Sequence, residues 1–292
     1  MRTVDEYELL LDARAGCGEG PVWDERSQRL VWVDLSAELV HRFDPAAGAM
    51  EPWAVGQLVG CLAPSVRGGF VAAVRDGFGV LDDGGALEMV TPVEVGKPGM
   101  QMNDGKCDAA GRFWAGSMHV EGTTPVGSLY RLDVDGRATP MLGGLTISNG
   151  MDWSLDSRTM YFVDTPTRRI DAFSFDPDVG LLSERRTFAQ LEPGTTLPDG
   201  VTVDADGYVW VAIWGGWCVH RYTPEGELDM VVRLPVSQVT SCAFGGAELD
   251  ELYITSARDD LSPQQLREEP LAGGLFRVWP GAQGRLPNTY GG

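Results

Sequence analysis

The chain has 292 residues, with 42 acidic against 23 basic side chains and a formal net charge of -19. Such an excess disfavours nucleic acid and anionic membrane as partners and favours a cation or a neutral solute, although a solvated acidic surface accounts for much of it. Five cysteines, odd in number and never spaced C-x-x-C, read as reduced core thiols of a cytoplasmic protein. Met1 to Leu11 lacks a signal-peptide core, and no later run is long enough to span a bilayer.

In chain order, Tyr7 to Ala13 (YELLLDA) predicts a strand that belongs to no complete repeat. Six repeats follow, with polar or glycine heads at Glu19, Gly60, Asn103, Asn149, Asp199 and Thr240. Leu197 to Trp217 (LPDGVTVDADGYVWVAIWGGW) is the clearest copy: a polar head, a short alternating strand, an Asp-Gly turn and a second strand carrying an aromatic. The corresponding aromatics are Trp32, Phe70, Trp114, Tyr161, Trp210 and Tyr253. Units of roughly 40 to 50 residues with several strands each are the sign of propeller blades. The sixth repeat supplies three strands, so the N-terminal strand is expected to complete its sheet. Apart from a brief helical stretch at Ser262 to Glu269, the reading is all-β: one six-bladed β-propeller domain over residues 1–292.

Heads and second-to-third-strand loops fall on one face of such a disc. The long loops, His119 to Val126 and Ala257 to Gly273, mark it as the functional face. Around the channel mouth this puts Glu19, Asn103, Asn149, Asp199 and Thr240, with Gln101 just before a head and Glu121 on the blade-three loop. Trp214 and Trp217 flank a loop there and either wall the pocket or pack between blades. Two carboxylates at about 5 Å repel by roughly 3 kcal/mol at an effective dielectric near 20, so Glu19 and Asp199 call for a shared proton or a cation. Asn149 adds a neutral oxygen, and an all-oxygen set favours calcium, magnesium or manganese over structural zinc. The alternative from pattern alone is that these heads only cap strands. Histidines 41 and 220 sit on third strands as structural residues and His119 on the active-face loop; neither H-E-x-x-H nor G-x-S-x-G occurs. Asp133 to Gly136 and Asp204 to Gly207 lack the later ligands of calcium loops and read as turns.

The segments CGEGPVWDE, MNDGKCDAAGRFWAGSM, ISNGMDWSLD, LPDGVTVDADG, CAFGG and AGGLFRV resemble, in order, those of the SMP-30/gluconolactonase/luciferin-regenerating family over essentially the whole chain. The resemblance implies a six-bladed propeller with one divalent metal in its channel, calcium first, with manganese, magnesium or zinc as alternatives. It carries the metal ligands onto Glu19 (EGP), Asn149 (SNG) and Asp199 (PDG), and substrate contacts onto Asn103 and Glu121. At Gln101 many members have arginine, so this chain departs there. The expected function is divalent-metal-dependent hydrolysis of a sugar (aldono)lactone to the aldonic acid. Asp199 would accept the water proton, and Asn103, Glu121 and Gln101 would hydrogen-bond the sugar. A phosphotriesterase-like hydrolase and a ligand-binding propeller without turnover are the other readings.

Overall fold

The computed structural model describes residues 1–194 and 196–292 as six sheets arranged as a propeller, with one short α-helix at Gln265–Glu268. The first strands of the blades are Gly18–Asp24, Val59–Pro64, Met100–Cys107, Ser148–Trp153, Leu197–Val203 and Val239–Gly245. Each lies at one edge of its sheet, and residues of all but one of them surround the axial space. Later strands follow outward in chain order, antiparallel throughout each four-stranded unit.

Second strands do not alternate in burial. Val209 to Ile213 are all buried, as are Leu30 to Val33, because each sheet is covered on both faces by neighbouring blades. The apolar clusters accordingly straddle blade pairs: Trp210, Met230 and Val232 pack with Phe244, Ile254 and Phe276, and Val31 and Val40 pack with Leu62 and Phe70. Burying one such aromatic or branched side chain contributes about 1.5 to 3 kcal/mol, so the blade interfaces dominate the favourable side of folding. Asp108 and Asp204 lock the first turns of their blades. Each accepts backbone N–H bonds from the turn and an indole N–H at 2.9 Å, from Trp114 and Trp210 respectively.

Every blade carries one irregularity at the same place. The pairing of first with second strand slips by one residue at Glu19/Val22, Val59/Cys61, Met102/Gly105, Ser148/Met151, Pro198/Val201 and Val239/Ser241. These are β-bulges, which free a residue from the ladder and re-aim its side chain. The repeat heads of the sequence are therefore the bulge positions. Glycine next to a head has a steric reason: a Cβ on Gly150 would meet Val201 N at 2.4 Å and Asp199 O at 2.5 Å, backbone atoms of the next inner strand.

The ring closes as the sequence leads one to expect, with Glu8–Leu11 pairing antiparallel to Leu275–Val278 as the outer strand of blade six. One pairing is additional: Arg2–Val4 runs parallel to Leu228–Arg233 on the outside of blade five. The other end of the chain crosses the channel on the side away from the heads. Its polar contacts touch five blades: Gly284 N donates to Leu249 O, Gln283 O accepts from Ala205 N, Arg285 donates to Trp153 O, Asn288 Nδ2 to Cys107 O, and Tyr290 N to Pro64 O. All five cysteines are free. Among the described residues no helix is long and apolar enough to cross a membrane.

Replacing Gly150 by alanine should force the inner strands of blades four and five apart. Overpacking of this kind costs about 1 to 3 kcal/mol, and the melting temperature should fall by several degrees. An unchanged melting curve would show that the strands can separate freely there.

Candidate metal centre and cavity

At the head end of the channel a cavity of ≈ 510 Å³ opens to solvent. All six residues singled out from the sequence, Glu19, Gln101, Asn103, Glu121, Asn149 and Asp199, line it. Glu19, Asn149 and Asp199 are buried at its floor, whereas Glu121 stands exposed at the rim. Gln101 and Asn103 reach the same space because the strand still runs straight through Met102, which is buried between them. Trp214 lines the cavity and Trp217 does not. Thr240, also expected at the mouth, lies outside it: its buried hydroxyl donates to Gly18 O and so ties blade six to blade one. His41 is buried in a stack on Trp32, and His220 Nδ1 lies 3.0 Å from Tyr222 Oη; burial lowers both pKa values, that of His220 to about 4.

The floor has the chemistry of a cation site. Asn149 Oδ1 and Asp199 Oδ1 are buried with no hydrogen-bond partner, and an unpaired buried oxygen costs about 1 to 3 kcal/mol. Glu19 Oε2 accepts from Gly20 N at 2.9 Å. The Asn149 amide is held with its oxygen free by a short relay in which Nδ2 donates to Thr165 Oγ1 at 3.0 Å, and that hydroxyl donates to Pro198 O at 3.0 Å. The Asn103 amide is oriented likewise by donation to Ser148 O at 2.9 Å. Among the described residues no three His, Cys, Asp or Glu side chains cluster to hold a metal. A cation here would draw on two carboxylates and the neutral Asn149 oxygen, a set that fits a hard divalent ion.

Burial pushes the Glu19 carboxyl well above the usual range, and the charges of Asp199 and Asp104 push it further. Asp199 is raised for the same reasons, burial first and then Asp104. Asp104 was not singled out in the sequence. It follows the Asn103 head, where the bulge lets consecutive side chains both face the axis, so a strict period-two pattern hides it. Its own carboxyl is raised by burial against the opposing pull of Lys106. Lys106 Nζ spans the channel to Val201 O at 2.8 Å and Asp152 Oδ2 at 3.0 Å, and Arg285 of the tail lies 3.5 Å from Asp152 Oδ1. Below the floor, then, the buried acids have basic partners; at the floor Glu19 and Asp199 have none.

The model of the SMP-30/gluconolactonase/LRE-like region matches residues 17–258. Rabbit (Oryctolagus cuniculus) regucalcin is 38% identical over 297 residues, covering 98% of this chain and 99% of that protein. The crystal structure of a calcium-binding protein, regucalcin, from Agrobacterium tumefaciens superposes with a TM-score of 0.95 at 28% identity, covering 99% of both chains. A gluconolactonase from Xanthomonas campestris gives a TM-score of 0.75 at 26% identity, covering 92% of this chain and 87% of that one.

Two outcomes follow from the floor. Thr165→Val removes the acceptor that orients Asn149, and loss of such an outer partner should weaken calcium or manganese binding about 10- to 100-fold by calorimetry; unchanged affinity would mean that Asn149 is oriented by other means. Because burial raises both carboxyl pKa values, the metal-free floor retains protons at a pH above the ordinary carboxylate range. Cation binding should therefore release protons at that pH, and affinity should rise with pH until both groups are ionised. Calorimetry in buffers of different ionisation heat reads the release directly, and its absence would place the cation elsewhere.

Proposed function

The chain belongs to the SMP-30/gluconolactonase/LRE-like family, and from that premise we propose that it is a divalent-metal-dependent lactonase acting on aldonolactones. The observation that carries this reading is the pair of unpartnered buried oxygens, Asn149 Oδ1 and Asp199 Oδ1, at the floor of a cavity large enough for a sugar ring. Glu19, Asn149 and Asp199 are the proposed ligands of a divalent cation, calcium before manganese, magnesium or zinc. When bound, such an ion polarises a carbonyl oxygen and lowers the pKa of water. The five free thiols suit a reducing compartment, and we place the protein in the cytoplasm on that ground.

The chain's own groups complete the chemistry. Asp199 lines the cavity, and its carboxylate accepts a proton from the attacking water. The new C–O bond forms at the lactone carbonyl, the ring C–O bond breaks, and the proton passes from Asp199 to the departing ring oxygen, which becomes the free hydroxyl of the product acid. Asn103, with its amide nitrogen engaged on Ser148 O, presents its oxygen to a substrate hydroxyl. Gln101 adds a neutral amide with both donor and acceptor. Glu121 at the rim accepts from a further hydroxyl. A cation-binding propeller without turnover is the second reading, favoured by the calcium-binding description of the Agrobacterium protein.

Hydrolysis of aldonolactones with added calcium or manganese separates these readings. Asp199→Asn keeps an oxygen and the side-chain shape but removes the charge and the base, so turnover should fall at least about a hundredfold; near-normal turnover would show that the proton goes elsewhere. Cation at about a hundred times its Kd should stabilise chelator-treated protein by about 2.7 kcal/mol through linkage, read as a rise in Tm. An unmoved Tm would remove the metal from the scheme.

A further inference from the structure

The wall of the cavity narrows the substrate, on the premise that the site is a lactonase. Among the described residues that line it there is no lysine, arginine or histidine. Its charged members are all acidic: Glu19 and Asp199 at the floor, Glu121 on the blade-three loop, and Asp259 and Asp260 on the blade-six loop. A divalent cation balances the charges of Glu19 and Asp199. Three acids then remain around the entrance, with no counter-charge inside the cavity.

The hydroxyl-binding groups of the wall are also unevenly placed, although Met118 and Val120 of blade three line the cavity beside them. Gln101, Asn103 and Glu121, the groups proposed to bind hydroxyls, all come from blade three. Ser36 is turned away from this task, its hydroxyl donating to Asp259 Oδ2. Leu35, Leu58, Ile147, Leu197 and Trp214, contributed at or beside blades one, two, four and five, present hydrocarbon to the same space. Against such side chains a ring hydroxyl loses its water without gaining a partner, whereas a methylene or alkyl arm gains burial.

We infer that the site takes an uncharged lactone with hydroxyls on one side only, its other side or a side arm being hydrocarbon, and discriminates against lactones bearing a carboxylate or phosphate. Gln101 is part of this selection, because an arginine there would supply the missing positive charge and a fixed fork of donors. The rim acts on the product too: ring opening creates a carboxylate, which the three rim acids repel, favouring its exit.

The test uses three five-membered lactones with saturating metal: γ-nonalactone (alkyl arm), galactono-1,4-lactone (neutral, hydroxylated) and glucaro-1,4-lactone (a free carboxylate). The kcat/KM should be lowest for glucaro-1,4-lactone, first below γ-nonalactone and second, by about tenfold or more, below galactono-1,4-lactone. Raising the salt from low to about 1 M, where the Debye length shrinks to about 3 Å, should narrow that second gap. Gln101→Arg should raise glucaro-1,4-lactone about tenfold relative to γ-nonalactone, the difference between a charged and a neutral hydrogen bond. A kcat/KM for glucaro-1,4-lactone that is not the lowest of the three, or a ratio unchanged in Gln101→Arg, overturns this inference while leaving the lactonase intact. No turnover of any of the three overturns the lactonase reading and takes this inference with it.

Discussion

Six inner strands converge on one axis, and the space between them is too small for a full complement of side chains. At Gly60 an added Cβ would lie 2.5 Å from Asn103 O, and at Gly200 2.1 Å from Ser241 Oγ, so contact between successive blades depends on glycine at or beside the heads. The same crowding accounts for the bulge in every blade. An extra residue lets the inner strands of blades one, three, four and five turn a polar side chain into the channel and still hold their outer neighbours by ladder bonds. The candidate site residues thus sit where the backbone is least regular, and the outer strands fix their positions.

That arrangement has an electrostatic cost. Glu19 and Asp199 are buried, close to Asp104, and without a basic partner, which raises their proton affinity. Deeper in the channel Lys106 and Arg285 serve Asp152, so the fold does supply countercharges where they are structural. Their absence from the floor is the physical reason for reading it as a cation site. Removing water from two like charges is unfavourable, and a cation in the same place converts the penalty into binding.

Much of this was legible in the sequence. Head spacing gave the number of blades, the three-strand last repeat pointed to closure by the N-terminus, and heads and long loops together marked the face where the cavity lies. What escaped is explained by geometry rather than by weak signal. Asp104 and Lys106 lie past a bulge, where strand parity changes. Thr165 acts through Asn149 from the end of the second strand of blade four, and a threonine between an aspartate and a proline has no pattern of its own. Thr240 is a head by spacing, but its hydroxyl turns to Gly18 O and serves blade closure. Strand Arg2–Val4 is three residues long, and the tail after Trp279 has no regular strand or helix; both are held by contacts that only the folded ring provides.

The tail has a further consequence for traffic. With Arg285 and Asn288 laid across the end opposite the heads, the channel is a well rather than a tunnel. Anything that reaches the floor enters and leaves by one opening, so the next molecule must wait for the last to depart. A through-passage could flush its contents with bulk water; a well cannot.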